Sequence, residues 1–121
     1  MTPGPFRFEF PPLPEYLGTA RAFVAAAARE LETSEETVAD LELAVSEACT
    51  IAISSGEPVR VRVSATGSAL EVEVDLPSGG DRLEGSDDLE GRELIASLFP
   101  DAGPVAGAYG APVFRFVVPL G

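Results

Sequence analysis

The longest periodic pattern in the chain is a run of apolar residues at helical spacing between Thr33 and Ser55. At about 100° per residue, one set gathers on a single face, as expected for a helix packed on a core. That face holds Val38, Leu41, Val45, Ala48, Cys49 and Ala52. The opposite side holds Asp40, Leu43, Glu47, Ile51 and Ser54. Because this second side mixes acids with large apolar groups, we expect it to contact more than solvent.

Signals at the ends of this pattern predict where helices start and stop. A capping box, Thr33-x-x-Glu36, predicts that the central helix begins at Thr33, and Gly56 and Pro58 end it. The preceding segment, Glu15–Leu31, also has helical spacing and is rich in alanine. Its apolar face comprises Leu17, Ala20, Val24, Ala27 and Leu31. The sequence therefore predicts two consecutive helices.

Strict alternation of apolar and charged residues marks strands on both sides of these helices. Phe6–Phe10 alternates in this way, and residues 59–76 have the pattern of a hairpin that turns at Thr66-Gly67-Ser68. The inward positions of the hairpin are Val59, Val61, Val63, Leu70, Val72, Val74 and Leu76. Its outward positions are Arg60 and Arg62 on one strand and Glu71, Glu73 and Asp75 on the other. Opposite charges at these places predict cross-strand ion pairs.

The remaining segments complete a single domain, residues 1–121. Pro77–Asp88 is a polar Gly-rich loop, Leu89–Phe99 a short helix, Gly103–Ala111 a short strand and turn, and Val113–Leu120 a last strand. The short helix is expected to face inward with Leu94, Ile95 and Leu98. The order β-α-α-β-β-α-β-β predicts the α+β class: a two-layer sandwich of a mixed, mostly antiparallel sheet with the helices on one face.

Composition then limits the functions open to such a domain. With 20 acidic and 8 basic residues, the net charge is −12, which opposes binding to nucleic acid or an anionic membrane and favours a basic protein partner. No apolar run approaches the roughly 20 residues of a membrane span, and no secretory signal is recognisable, so we expect a cytoplasmic protein. The chain has no histidine and one cysteine, Cys49, which excludes zinc sites and Ser-His or Cys-His catalysis. Cys49 is interpreted as a small core residue.

Three segments carry a resemblance to a known family. They are SEACTIA in the central helix, VDLPSGGD after a strand, and GRELIASLFPD in a later helix. From about Tyr16 to the C-terminus, the chain resembles the ATP-binding domain of anti-sigma factor serine kinases. That family belongs to the gyrase/Hsp90/histidine-kinase/MutL superfamily, so the resemblance implies the Bergerat fold.

The first motif implies a catalytic base and a metal ligand. In the family, a glutamate acts as general base on the attacking hydroxyl, and an asparagine four residues later coordinates Mg²⁺. The resemblance places Glu47 at the first position and Ile51 at the second. Residues four apart share a helix face, but Mg²⁺ requires oxygen ligands, which isoleucine lacks. Ser54 and Ser55, at the family's next polar positions, are too short to replace the asparagine.

The other two motifs imply contacts with adenine and phosphate. In the family's Asp-x-Gly-x-Gly the aspartate accepts the adenine amino group. Asp75 and Gly79 match that motif, whereas Pro77 replaces its first glycine and fixes φ. Asp75 has a second interpretation, as the next outward acid of its strand. In the third motif, at a helix N-terminus suited to phosphate, Gly91 remains, and residues 80–88 before it are acidic.

Three hypotheses follow. The first is an anti-sigma-factor-like regulatory domain that acts by protein–protein binding in a partner-switching control of transcription, without catalysis, metal or cofactor, because Mg-ATP binding is impaired or lost. Its partners are a sigma factor or an anti-sigma factor antagonist, and the resemblance also implies a homodimer. The second is an active kinase that uses ATP and Mg²⁺ to phosphorylate a serine of an antagonist, with Glu47 as base and with Glu47, Asp75, Gly79 and Gly91 binding the nucleotide. The third is an unrelated α+β domain.

Overall fold

The computed structural model of the protein describes residues 5–76, 93–100, 102–106 and 112–119. Five strands and two long helices are bounded, in chain order, as β1 Phe6–Phe10, α1 Leu17–Glu30, α2 Glu35–Ile53, β2 Val59–Thr66, β3 Ala69–Asp75, β4 Gly103–Ala106 and β5 Pro112–Pro119. A 3₁₀ turn, Pro14–Tyr16, leads into α1, and a further helix, α3, is described over residues 93–98. The predicted order of elements is confirmed.

The five strands form one sheet in the order β1-β2-β3-β5-β4. Each described pair of neighbours is antiparallel, so the sheet is more regular than the mixed sheet expected from the sequence. The predicted β2–β3 hairpin is confirmed, and its register sets Val61 opposite Val74 and Val63 opposite Val72. Thr66 pairs with Ala69, so the turn consists of Gly67-Ser68 and does not include Thr66 as predicted. Because side chains alternate along a strand, this register puts one row of valines under the helices and one row of charges on the open face.

The core lies between that valine row and the two long helices. The alternation along β3 is regular, and Val72 and Val74 are fully buried. The predicted core face of α2 is confirmed, because all six of its residues are buried, among them the Cys49 thiol. Among the described residues, no helix is both long and apolar enough to cross a membrane. The α+β sandwich predicted from the pattern is therefore the observed fold.

Residues on the second side of α2 differ in how deeply they are buried. Leu43 is 44% exposed, whereas Ile51 is only 2% exposed and belongs to the same buried cluster as Ala44. Because α1 and the sheet both pack against α2, they cover more than the single stripe that the spacing predicted. The expectation that this second side contacts more than solvent is confirmed at Ile51, whereas Leu43 stays exposed.

The connection between α1 and α2 is a Schellman motif. The Glu32 N–H donates to the carbonyl of Arg29 at 2.9 Å, and the Thr33 N–H donates to the carbonyl of Ala28 at 3.1 Å. These two bonds close the last turn of α1. Thr33 is therefore the second residue beyond Leu31, the C-cap of α1, and does not cap the next helix.

The predicted capping box at Thr33 is wrong for this reason. The N-cap of α2 is Ser34, whose Oγ accepts from the Thr37 N–H at 3.2 Å. Glu36, the expected return partner, lies in the first turn, where its negative charge favours the helix dipole. The Thr33 hydroxyl is buried and has no hydrogen-bond partner among the residues described.

Glu32 offers a test of this connection. It adopts φ of 61°, the left-handed region that costs an L-residue roughly 1–2 kcal/mol and a glycine almost nothing. Glycine would remove this backbone strain, but it also has more conformational freedom in the unfolded chain, which offsets part of the stabilisation. We therefore expect Glu32→Gly to raise the free energy of unfolding by about 0.5–1 kcal/mol in urea titrations.

The control for this substitution is Ala26→Gly, on the exposed side of α1. Glycine in a helix interior costs about 1 kcal/mol relative to alanine, so this variant should lose stability. If Glu32→Gly lost stability as well, the left-handed turn between α1 and α2 would not be the conformation in solution.

Candidate functional site

The two residues of the first motif lie on α2, but their surroundings differ. Ile51 is buried in the core, whereas Glu47 is half-buried at the margin of the helix. The carboxylate of Glu47 makes no hydrogen bond or ion pair with the described residues. Glu47 thus keeps a free acid near the surface, while the position expected to hold a metal ligand is part of the apolar interior.

The hydroxyl groups near Ile51 form hydrogen bonds with backbone groups close by in the chain. Thr50 Oγ1 donates to the carbonyl of Ser46 at 2.8 Å, and Ser54 Oγ donates to the carbonyl of Ile51 at 2.6 Å. Ser55 Oγ accepts from the Glu57 N–H at 3.0 Å. Magnesium needs several oxygen ligands in near-octahedral geometry. The described residues around Ile51 do not fit that requirement.

Asp75 is at the end of β3 and faces away from α2. Its Oδ2 is 3.5 Å from Nη1 of Arg60, and its side chain is 33% exposed. Val74, the preceding residue, points into the core under the helices. Neighbouring residues of a strand point to opposite faces, so Asp75 and Glu47 lie on opposite sides of the sheet. The structure does not bring these two predicted residues together, and Asp75 occupies the outward position that its second interpretation gives it.

Ion pairs cross the open face of the sheet where the hairpin pattern predicted them. Glu73 accepts from Arg62 on one side at 3.4 Å and from Arg115 on the other at 2.9 Å. The Arg60 Nε donates to Glu9 at 2.6 Å, and this hydrogen bond raises the pKa of Arg60. The predicted cross-strand pairing is confirmed between β2 and β3 by Arg62 with Glu73 and by Arg60 with Asp75.

A groove that the sequence did not reveal lies among these charges. It has a volume of about 370 Å³, and its lining includes Arg7, Glu9, Arg60, Arg62 and Asp75. These residues come from β1 and from the β2–β3 hairpin, which is distant from β1 in the chain. Alternation predicts that each points outward, but only the pairing of β1 with β2 brings them together.

The other predicted site residues fall outside the described part of the chain. These are Gly79 and Gly91, together with Pro77 and the acidic segment 80–88. In the part that the structure does describe, no group of three or more carboxylate or thiol side chains is placed to hold a metal ion. Burial raises the pKa of the Cys49 thiol to about 12, so this cysteine is protonated at neutral pH and is a core residue, as predicted.

Comparison with protein-family models places most of the chain in a known domain family. The family model of the histidine kinase-like ATPase domain matches residues 10–101, which is more than half of the chain. A search of curated proteins gives no match. The matched region contains α1, α2, the β2–β3 hairpin and α3. The chain therefore belongs to the histidine kinase-like ATPase domain family.

Proposed function

We propose that the chain is an anti-sigma-factor-like regulatory domain that acts by protein–protein binding in a partner-switching control of transcription. In this proposal, its binding of Mg-ATP is impaired or lost. The observation that carries the proposal is the burial of Ile51 in the core, at the position where the resemblance places a metal-binding asparagine. An apolar side chain there stabilises the fold by roughly 1.5–3 kcal/mol. It supplies no oxygen to a cation.

The position of Asp75 supports the same conclusion. In the active family the aspartate and the glutamate serve one nucleotide, so both must reach the same side of the sheet. Here the Asp75 carboxylate pairs with Arg60 on the open face, away from Glu47. An adenine between the helices and the sheet would not meet Asp75. In this proposal, Ile51 contributes to the core and Asp75 to a surface ion pair, at two positions that bind Mg-ATP in the family.

The proposed partner is a sigma factor or an anti-sigma factor antagonist, met in the cytoplasm. The net charge of −12 attracts a basic surface and speeds its association. Leu43 on α2 and Leu13 before α1 are large apolar residues that remain exposed, and the proposal assigns them to the contact with the partner. The proposal also includes a homodimer.

A second candidate is an active kinase that phosphorylates a serine of an antagonist. It is favoured by Glu47, whose half-exposed carboxylate has no partner among the described residues and could accept a proton from a hydroxyl. This candidate requires Mg²⁺ to be held by phosphate and water without the asparagine ligand. The two candidates differ in whether a covalent product forms.

The experiment has two stages. The purified chain is used to capture proteins from its source cell, and a captured sigma factor or antagonist is then purified and titrated against the chain without nucleotide. We expect saturable binding that ATP does not change. Failure to retain either class of protein above a control of equal net charge would contradict the proposal.

In the second stage, the captured antagonist is incubated with the chain and Mg-ATP and examined for phosphoserine by mass spectrometry. We expect none. Phosphoserine that forms with the parent chain and disappears with Glu47→Gln would establish the kinase instead.

A further inference from the structure

A row of charged residues crosses the open face of the sheet from β1 to β5. Each member lies opposite the next on the neighbouring strand, and in strand order they are Arg7, Arg62, Glu73 and Arg115. Side chains directly opposite each other have Cβ atoms about 4.5–5.5 Å apart. Arginine remains protonated in proteins, so three positive charges and one negative charge share this row. Its local charge is opposite in sign to the net charge of −12.

The glutamate of the row is divided between two of the arginines. Glu73 Oε2 accepts from Arg115 at 2.9 Å, and Glu73 Oε1 accepts from Arg62 at 3.4 Å. Arg7 makes no ion pair or hydrogen bond with the described residues, and the buried Nε of Arg115 has no hydrogen-bond partner among them. Like charges directly opposite each other destabilise a pair of strands. The described residues therefore leave the Arg7–Arg62 pair with only a share of one carboxylate.

This like-charge pair forms one wall of the open-face groove. Phe8 and Val61 lie opposite each other and line the groove between its two walls. The other wall holds Glu9, Arg60 and Asp75, and Arg60 lies within 2.6 Å of one acid and 3.5 Å of the other. Because Arg60 already pairs with both acids, the groove offers a ligand the two guanidiniums of the first wall.

The positive region is only one row wide. Outward residues of successive rows are about 6.6–6.8 Å apart along a strand. The row on one side contains Glu71, and the row on the other contains Glu9 and Asp75. An acidic protein surface or a polyphosphate would bring further negative charge against these acids. A single carboxylate would contact the arginines alone, and guanidinium groups match its planar geometry with paired N–H donors.

We propose that the open-face groove binds a small compound with one carboxylate, and that this carboxylate bridges Arg7 and Arg62. The groove volume of about 370 Å³ is within the range of small-molecule sites. In the free chain the two guanidiniums repel each other, and the negative charge of the ligand relieves that repulsion. The groove lies on the face of the sheet away from Glu47, so the proposal is independent of protein partners and of nucleotide.

Titration with propionate tests the site by nuclear magnetic resonance. The neutral amide propionamide has nearly the same shape and serves as the control ligand, with sodium chloride added to keep the ionic strength constant. We expect propionate to shift the Nε–H signals of Arg7 and Arg62 saturably, with a dissociation constant in the millimolar range. Propionamide and chloride should not shift them. A tetraglutamate peptide should bind more weakly than propionate, because its further carboxylates approach the acids of the neighbouring rows.

Loss of one guanidinium tests the bridge. Arg7→Gln should raise the dissociation constant for propionate about tenfold or more, because one of the two charge-assisted contacts is lost. Arg29→Gln removes the same charge from an exposed position at the far end of α1 and should leave binding unchanged.

A double-mutant cycle tests the repulsion without ligand. Each of Arg7→Gln and Arg62→Gln alone relieves the same like-charge contact, so additivity would count that relief twice. We therefore expect the double variant to unfold at a lower urea concentration than the sum of the two single changes gives.

Four results would overturn the proposal. They are equal shifts with propionate and propionamide, tighter binding of tetraglutamate than of propionate, unchanged propionate binding in Arg7→Gln, and strict additivity in the urea cycle. Tighter binding of tetraglutamate would assign the groove to an acidic protein segment instead. None of these results alters the capture of a sigma factor or antagonist, so the two proposals can fail separately.

Discussion

Replacing Ile51 by asparagine is expected to lower the free energy of unfolding by about 3–5 kcal/mol. Ile51 is almost fully buried within the main apolar cluster. The variant therefore loses apolar burial and places an amide in the core, where it has no hydrogen-bond partners. The measurement is a urea titration followed by circular dichroism. The resemblance would require an asparagine at this position for a metal site. The loss in free energy of unfolding on Ile51→Asn therefore measures how strongly the fold depends on an apolar residue there.

Two variants serve as controls for Ile51→Asn. Ile51→Val keeps the site apolar and should cost only about 0.5–1.5 kcal/mol. Ile53→Asn places the same amide at a half-buried position of the same helix and should cost less than Ile51→Asn. If Ile51→Asn were as stable as the parent chain, Ile51 would not belong to the core. If it gained nucleotide binding, loss of the metal ligand would be the main defect; if it did not, Pro77 and the acidic segment 80–88 would be the stronger obstacles.

Replacing Phe116 by alanine is expected to cost about 3–5 kcal/mol. Phe116 on β5 is fully buried, and its ring centroid lies 5.6 Å from that of Phe114 and 5.8 Å from that of Phe99, just after α3. The side chain therefore joins the segment after α3 to the sheet, and its removal leaves a cavity at that contact. Thermal and urea unfolding both report the loss.

The neighbouring residue gives a matched control for Phe116→Ala. Val117 points to the open face and is 42% exposed, so Val117→Ala should stay within about 0.5 kcal/mol of the parent chain. Equal losses at both positions would contradict the alternation of β5.

The sequence predicted the sheet well because alternation is a local signal. The valines of β2 and β3 are buried and their arginines and acids pair across the strands, as the pattern of residues 59–76 indicated. The outward position of Asp75 follows from the same alternation, although the motif pointed to an inward role. At this residue, the strand pattern was a better guide to orientation than the likeness to a family motif.

The start of α2 was missed, and the spacing alone did not separate the buried Ile51 from the exposed Leu43 on the second side of α2. Two residues that can cap a helix, Thr33 and Ser34, are adjacent in the sequence. The left-handed conformation of Glu32 determines that Ser34 is the N-cap, and the residue pattern does not predict that conformation. Ile51 lies outside the main apolar stripe, and its burial depends on how much of α2 is covered by neighbours distant in sequence. The open-face groove was missed because it requires the pairing of β1 with β2.

The central claim is that this member of the histidine kinase-like ATPase family acts by contact without competent Mg-ATP binding. Calorimetric titration of the folded parent chain with Mg-ATP tests it most directly. We expect no measurable binding at millimolar nucleotide, because Ile51 supplies no metal ligand and Asp75 lies on the other side of the sheet. A micromolar dissociation constant for Mg-ATP would contradict the claim.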